Sequence, residues 1–282
     1  MRHADHDAAI VISTYNRPGA LSRVLLALSQ QTIAPSQILI GDDGSGPETR
    51  QLISGWRQKG LPIEHTWHED SGYRKTIIMN QAFAKVRCPL TIFIDGDCIP
   101  SPSFVEDHLD LSEPGFILAG PRILASPAYT QLMEADQKAD FFNQSLFRQI
   151  MCRISGEVNR LAPLVRLPDG AWRRSKPKKW ELVRGCNFSV ETKHVWAVDG
   201  FEENLYGWGP DDSDIAVRLI NHGLSIKSGR FACPVLHLWH KEESRNGLEK
   251  NREYLQNAIA QRRINAVKGL SSHGLTAPPE LN

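Results

Sequence analysis

The first half of the chain alternates short apolar runs with stretches of helical periodicity, and this alternation restricts the fold more than any other feature. Apolar runs of strand length occupy residues 8–13, 37–41, 62–67 and 90–94. Stretches with apolar residues three and four apart separate these runs, at residues 20–31, 47–59 and 73–86. The spacing predicts an α/β fold with a Rossmann-like, mostly parallel sheet flanked by helices.

Polar side chains follow the predicted strands, at the sheet edge where ligands of such folds bind. Asp95 and Asp97 follow one strand, and Gly96 between them lets the backbone bend. A lone Asp-Gly-Asp is typical of a solvated turn, but its place beside other acidic strand ends favours a divalent cation site. Hard oxygen ligands of this kind suit Mn²⁺ or Mg²⁺.

Other strand-end residues are candidates for contact with a nucleotide. Asp42 and Asp43 precede a glycine, which is typical of a turn, although a strand-end Asp can also accept the N–H of a uracil ring. Tyr15 could lie against a base or pack in the core. Arg17 and Lys75 could face phosphate oxygens, and for Arg17 a solvated surface charge is the stronger interpretation.

A second acidic cluster, residues 207–214, precedes an apolar stretch that reads as a helix. Asp211 and Asp212 are candidates for base chemistry because adjacent carboxylates raise each other's pKa. Carboxylates also cap helix starts, and we expect both roles. Trp208, with Gly209 after it, offers a flat surface of the kind on which sugar rings stack.

His237 and His240 follow a strand-like run, and either could complete a metal site formed by carboxylates. A purely structural role for the two histidines is supported equally well. Of the two, His237 is the better candidate for a metal ligand. The sequence lacks the glycine-rich loop of nicotinamide enzymes, the P-loop and the spacing of a structural zinc site.

Composition limits the partners and the compartment. The 282 residues carry a formal net charge of +1, which gives no support to a nucleic-acid partner. No apolar run approaches the roughly 20 residues of a transmembrane helix, the start of the sequence is polar, and the five cysteines are scattered. We therefore expect a cytoplasmic protein, or one held peripherally at the inner face of a membrane.

Residues 123–183 form an insertion of less regular pattern. Residues 128–166 are predicted to be helical and amphipathic, and residues 173–184 are strongly basic. This insertion could contact anionic lipid or a phosphorylated glycan, or it could simply cover the sheet edge with solvated lysines. We expect a single domain with a nucleotide-sugar half at 8–122, this insertion, an acceptor half at 184–245, and a helix and tail at 246–282.

Taken together, these segments resemble family-2 glycosyltransferases of the GT-A fold. Residues 11–17 are similar to the family's opening strand, 40–45 to its second motif and 93–97 to its DxD motif, while Lys75 and Asn80 match its Lys/Arg…Asn helix. Residues 200–219 resemble the galactosyltransferase-type segment of β-1,4-galactosyltransferases and chondroitin-type polymerases. Pro210 and Asp211 depart from the Gly-Glu or Glu-Glu of that segment, and the QxxRW signature of processive synthases is absent.

The resemblance implies an inverting, metal-dependent transfer from a UDP-sugar to a glycan or glycolipid. It assigns Asp97 to the metal with His237, Asp95 to ribose or metal-bound water, and Asp212 to the catalytic base. Asp211 would contact the acceptor hydroxyl, and a set of three residues would hold the uridine: Ser13, Tyr15 and Asp42. A sugar-1-phosphate nucleotidyltransferase and a non-catalytic binding module are the alternatives.

Overall fold

The computed structural model describes residues 7–136, 139–207, 209–241 and 248–279. Ten strands lie in these residues: β1 (Ala8–Thr14), β2 (Gln37–Asp42), β3 (Ile63–Trp67), β4 (Leu90–Asp95), β5 (Cys98–Pro100), β6 (Phe116–Ala119), β7 (Arg122–Leu124), β8 (Phe188–Glu191), β9 (Ser225–Ser228) and β10 (Val235–His237). The α-helices of the same residues are α1 (Pro18–Ser29), α2 (Pro47–Gln58), α3 (Lys75–Phe83), α4 (Phe104–Leu111), α5 (Pro127–Ala135), α6 (Leu146–Ile154), α7 (Thr192–Ala197), α8 (Asp211–Asn221) and α9 (Leu248–Ala260).

The main sheet has seven strands in the order β3-β2-β1-β4-β8-β6-β9. Strands β1 to β4 pair in parallel, whereas β8 is antiparallel to both of its neighbours, β4 and β6. This confirms the mostly parallel sheet flanked by helices. The register places Ser13 beside Asp95 and Thr14 beside Asp42, so the polar strand ends meet at one edge as predicted.

Strand β1 is buried along its whole length because helices cover both faces of the sheet. Successive side chains of a strand point to opposite faces. Ile10 and Ile12 accordingly join one core cluster, with α1, and Ala9 and Val11 join the other, with α3. The continuous apolar run of β1 is the sequence signature of this double burial.

A smaller sheet of three strands, in the order β5-β10-β7, was not predicted. Strand β10 is antiparallel to β5, with His237 opposite Cys98, and parallel to β7. The N–H of Leu238 also donates to the carbonyl oxygen of Asp97 at 2.9 Å. This small sheet therefore brings residues near position 237 next to the Asp95–Asp97 turn.

The prediction of one amphipathic helical stretch over 128–166 is wrong in extent. The structure has two short helices, α5 and α6, separated by a turn in which Asp140 Oδ1 accepts from the N–H groups of Phe142 and Asn143. Phe141, between the two helices, is buried in the core. Helix α5 ends at Ala135 with Asp136 in an extended conformation, and the side-chain hydrogen bonds of Asp140 hold a non-helical turn where apolar periodicity alone would continue the helix.

The basic stretch at 173–184 is not uniformly solvated. Arg173 is buried and donates to the carbonyl oxygens of Ser228 and Arg230, while Arg174 pairs with Glu113. Among the helices of the described residues, none combines the length and apolarity that crossing a bilayer requires.

Candidate active site

The carboxyl ends of β1 and β4 hold a carboxylate between a hydroxyl and an ammonium group. Asp95 Oδ1 accepts from Ser13 Oγ at 2.7 Å and from Lys75 Nζ at 2.7 Å. Burial raises the pKa of Asp95, but the charge of Lys75 and the hydrogen bonds from Lys75 and Ser13 together outweigh it, so that the net shift is downward. Burial lowers the pKa of Lys75, but the charges of Asp95 and Asp211 raise it well above its ordinary value. Asp95 and Lys75 are therefore charged at neutral pH.

Gly96 makes the sharp turn that separates the two carboxylates. Its N–H donates to the carbonyl oxygen of Ser13 at 2.7 Å. A Cβ at this position would lie 2.9 Å from that same oxygen and 3.0 Å from Thr14 Oγ1, which is closer than real Cβ contacts come. The close approach of β1 explains why glycine stands between Asp95 and Asp97.

Asp97 lies among basic side chains. Arg17 Nη1 donates to its Oδ2 at 2.8 Å, while His237 Nε2 lies 3.5 Å from Oδ1 and His240 Nε2 lies 3.7 Å from Oδ2. Burial raises the pKa of Asp97, but His237, His240 and Arg17 together lower it to about 2. The interpretation of Arg17 as a solvated surface charge is wrong, since its guanidinium also donates to Glu134 at 2.7 Å.

The group formed by Asp97, His237 and His240 has the chemistry of a divalent metal site. One ligand atom from each of the three lies within 4.8 Å of the others. His237 Nδ1 is buried and has no hydrogen-bond partner among the described residues. The carboxylate suits Mn²⁺ or Mg²⁺, whereas imidazole ligands favour a transition-metal ion. The residues thus fit Mn²⁺ better than Mg²⁺, and both histidines lie close enough to take part.

The second acidic cluster lies beside the first. Asp211 and Asp212 open α8, and Lys75 Nζ lies 3.9 Å from Asp211 Oδ2 while it bonds Asp95. Asp212 Oδ2 accepts the N–H of Gly185 at 2.9 Å. The structure therefore brings together carboxylates that are more than a hundred residues apart in the sequence.

Asp211 has a raised pKa. Burial raises its pKa, Lys75 opposes the rise, and Asp212 and Asp95 add to it, so that the pKa is about 6. The expectation that one of two adjacent carboxylates titrates near neutral pH thus applies to Asp211. The expected capping is different in detail: the N-cap of α8 is Pro210, and both carboxylates lie in the first helical turn, near the positive end of the helix dipole.

Asp42 and Asp43 are almost fully buried and are engaged by protein groups. Asp42 accepts from the N–H of Ser45 at 2.8 Å and lies 3.0 Å from His65, and Asp43 lies 2.6 Å from His68. These bonds shape the loop after β2. Contact of either carboxylate with a nucleotide stays a prediction.

Tyr15 is 45% exposed at the same edge, where its hydroxyl donates to Asp70 at 2.9 Å. It is not a packed core residue, so its ring is accessible. Trp208 lies outside the described residues. Gly209 is described, and a Cβ there would meet Asn251 of α9 at 2.6 Å, so the backbone must pass close to that helix.

Several residues of the site carry no recognisable sequence signal. Glu134 reaches Arg17 from α5, and His65 and His68 orient the acidic loop. Cys98 and Cys186, both buried, place their sulfur atoms within 4.8 Å of each other and of His237. Only Cys98 could have been flagged, by its place directly after the Asp-Gly-Asp turn.

The sequence profile of glycosyl transferase family 2 matches residues 9–164, and the profile described as the N-terminal domain of galactosyltransferase matches residues 173–241. Validoxylamine A glucosyltransferase of Streptomyces hygroscopicus subsp. limoneus is 28% identical over 79% of this chain and 49% of its own length. Chondroitin synthase of Escherichia coli is 25% identical over 90% of this chain and 37% of its own length. The chain thus spans about half or less of the length of these curated relatives.

Solved structures share the fold of this chain. S. aureus TarS superposes with a TM-score of 0.57 at 14% identity, over 94% of this chain and 41% of that chain. A structure of TarS residues 1–349 in complex with UDP superposes with a TM-score of 0.56 at 15% sequence identity, over 94% of this chain and 68% of that chain. The family-2 match covers more than half of the chain and contains Asp95 and Asp97, while the second match contains Asp211 and Asp212. The chain therefore belongs to the family-2 glycosyltransferases, with a GT-A fold and a chondroitin-polymerase-like C-terminal segment.

Proposed function

We propose that this glycosyltransferase is inverting and metal-dependent, and that it moves a hexose or N-acetylhexosamine from a UDP-sugar to a glycan or glycolipid. The observation that carries the proposal is the position of Lys75, whose ammonium lies 2.7 Å from Asp95 and 3.9 Å from Asp211. The groups expected to bind the donor thus lie next to those expected to activate the acceptor. Synthesis of cell-surface polysaccharide or lipopolysaccharide is the setting that such a reaction suits.

The donor side rests on the cationic surroundings of Asp97. Asp97, His237 and His240 would hold Mn²⁺ or Mg²⁺, which when bound supplies positive charge against the diphosphate leaving group. Arg17 and Lys75 would add fixed positive charge for the phosphate oxygens. Ser13, which donates to Asp95 at 2.7 Å, would orient that carboxylate toward the ribose. The UDP complex of the TarS neighbour supports uridine diphosphate as the nucleotide. Tyr15, whose ring is exposed, would lie beside the base.

The acceptor side rests on the first turn of α8. Asp212, held by the N–H of Gly185, would take the proton of the acceptor hydroxyl. That oxygen attacks the anomeric carbon from the face opposite the diphosphate, the glycosidic bond forms as the sugar–phosphate bond breaks, and UDP leaves with the electron pair. The configuration inverts because there is a single displacement. Asp211 would orient the acceptor through a hydrogen bond, with Gly209 and Trp208 along the sugar.

The relatives support the sugar class without defining it. One is named as a glucosyltransferase and another as a chondroitin synthase, and this chain spans 49% and 37% of their respective lengths. Hexose and N-acetylhexosamine donors are therefore the first to test.

The proposal is tested by UDP release from UDP-glucose, UDP-galactose and their N-acetylated forms, with and without Mn²⁺. We expect slow hydrolysis of at least one donor that stops when the metal is chelated. Asp97→Ala should lose metal-dependent UDP binding in calorimetry, whereas the exposed Glu253→Gln on α9 should bind as the wild type does. Unchanged binding by Asp97→Ala would refute the metal site. Formation of UTP from pyrophosphate would identify a nucleotidyltransferase, and binding without hydrolysis or transfer would identify a binding module.

A further inference from the structure

Helix α6 turns its apolar side away from the protein. Of the five large apolar side chains on this helix, three are more than two-thirds exposed. The exposed fractions are 67% for Leu146, 73% for Phe147, 40% for Ile150, 37% for Met151 and 71% for Ile154. At about 100° per residue these positions share an arc of about 140°, so they form one continuous stripe. We call these five residues the α6 stripe.

The opposite side of α6 attaches the helix to the domain through small and polar groups. Gln149 and Cys152 are buried, and Gln149 Nε2 donates to the carbonyl oxygen of Phe141 at 3.1 Å. The helix start is capped, since Ser145 Oγ accepts from the N–H of Arg148 at 3.3 Å. The orientation is therefore held by specific bonds, and it is the reverse of a surface helix that buries its apolar face.

Positive charge borders the α6 stripe. Helical spacing puts Arg153 at one edge of the stripe and Arg148 beyond the other, and Arg160 follows the helix. The nearby acid, Glu157, lies 3.6 Å from Arg148, so it offsets one of these three charges. Among the described residues, the guanidinium of Arg160 donates a hydrogen bond only to the carbonyl oxygen of Arg122. A bare apolar stripe with a cationic border is complementary to an anionic lipid surface.

The segment that carries α6 is tied to the active site. The N–H of Ser126 donates to the carbonyl oxygen of Glu157 at 2.8 Å, and that of Asn159 donates to Leu124 at the end of β7 at 3.0 Å. Helix α5, which follows Ser126, supplies the Glu134 carboxylate that binds Arg17. Short connections therefore join the α6 stripe to the elements around Asp97.

We propose that α6 lies in the plane of an anionic membrane surface, with the α6 stripe among the upper acyl chains and the arginines at the head groups. Two cations of the basic stretch at 173–184 are not available for such a contact, because Arg173 is buried and Arg174 pairs with Glu113 and Asp169. Such a contact would hold the site near a lipid-borne acceptor, and that consequence alone rests on the proposed function. The contact itself needs neither donor nor metal.

The test is flotation of the protein with vesicles of phosphatidylcholine alone and with phosphatidylglycerol added. We expect the wild type to float with the anionic vesicles, and the Phe147→Glu/Ile154→Glu variant to partition at least about tenfold less, since both charges would enter the apolar layer. Arg148→Gln/Arg153→Gln should reduce binding to anionic vesicles only. The matched control is Ile259→Glu, an exposed apolar residue of α9 that should change nothing.

A label gives an independent readout of insertion. All five cysteines are buried, so an Ile154→Cys variant can be labelled selectively with an environment-sensitive dye. Its emission should shift to the blue on anionic vesicles, and that of Ile259→Cys should not. No flotation of the wild type, or equal flotation of the Phe147→Glu/Ile154→Glu variant, would overturn the proposal. So would a dimer in sedimentation that this variant converts to a monomer, since a second copy would then cover the stripe.

Discussion

Replacing Asp211 with asparagine should make the folded protein more stable at neutral pH. The side chain is 16% exposed, and burial, Asp212 and Asp95 raise its pKa from 3.8 to about 6 despite the attraction of Lys75. A carboxylate that titrates about two units higher in the folded state than in the unfolded state costs about 3 kcal/mol of stability when it is ionised. Asparagine removes the charge and nearly keeps the shape.

The sign of the effect gives it a characteristic pH dependence. Because the folded pKa is raised, the folded protein disfavours the charged form, and the cost is complete above about pH 6. The cost shrinks as the pH falls through about 6 and is gone near the unfolded value of 3.8. The stability difference between Asp211→Asn and the wild type should therefore be largest at pH 7.5 and small at pH 4.5.

Urea unfolding at pH 7.5, 6.0 and 4.5 measures this difference directly. We expect a gain of up to about 3 kcal/mol for Asp211→Asn at pH 7.5. Glu253→Gln, an exposed change on α9, should stay within about 0.5 kcal/mol at every pH. Equal stability of Asp211→Asn and the wild type at pH 7.5, or a gain that does not depend on pH, would refute the reasoning.

Three further changes have distinct expected outcomes. Asp212→Asn should bind UDP normally but transfer about 10²–10⁴-fold more slowly, and a near wild-type rate in a transfer assay would exclude it as the base. Asp214→Asn should cost about 3–5 kcal/mol in urea unfolding because it leaves Arg218 buried without its partner. Gly96→Ala should weaken UDP binding in calorimetry, since its Cβ would meet the carbonyl oxygen of Ser13; unchanged affinity would contradict the tight turn.

The sequence predicts the main sheet and the meeting of the acidic clusters well. Strands β1, β2 and β4 are buried on both faces, so their apolar runs stand out. Parallel pairing brings the ends of β1 to β4 to one edge. The glycine between Asp95 and Asp97 also marks its turn correctly. These features depend on local patterns and on one general rule of sheet topology.

Other features depend on contacts that no local pattern encodes. The small sheet consists of three-residue strands, which are too short to show a periodicity. Arg17 belongs to the site because Glu134, 117 residues away, holds its guanidinium. Periodicity identifies an apolar stripe on α6, but it carries no information about whether the stripe faces the core or the surroundings.

The strand order of the small sheet determines when the Asp97 site can form during synthesis of the protein. Strand β10 pairs with both β5 and β7, which do not pair with each other, so neither has its partner until the ribosome has released Val235–His237. A nascent chain that ends at residue 164, the limit of the family-2 match, already carries Asp97 but not the imidazole that faces it. The growing polypeptide therefore cannot assemble the complete Asp97 site before Val235–His237 have emerged.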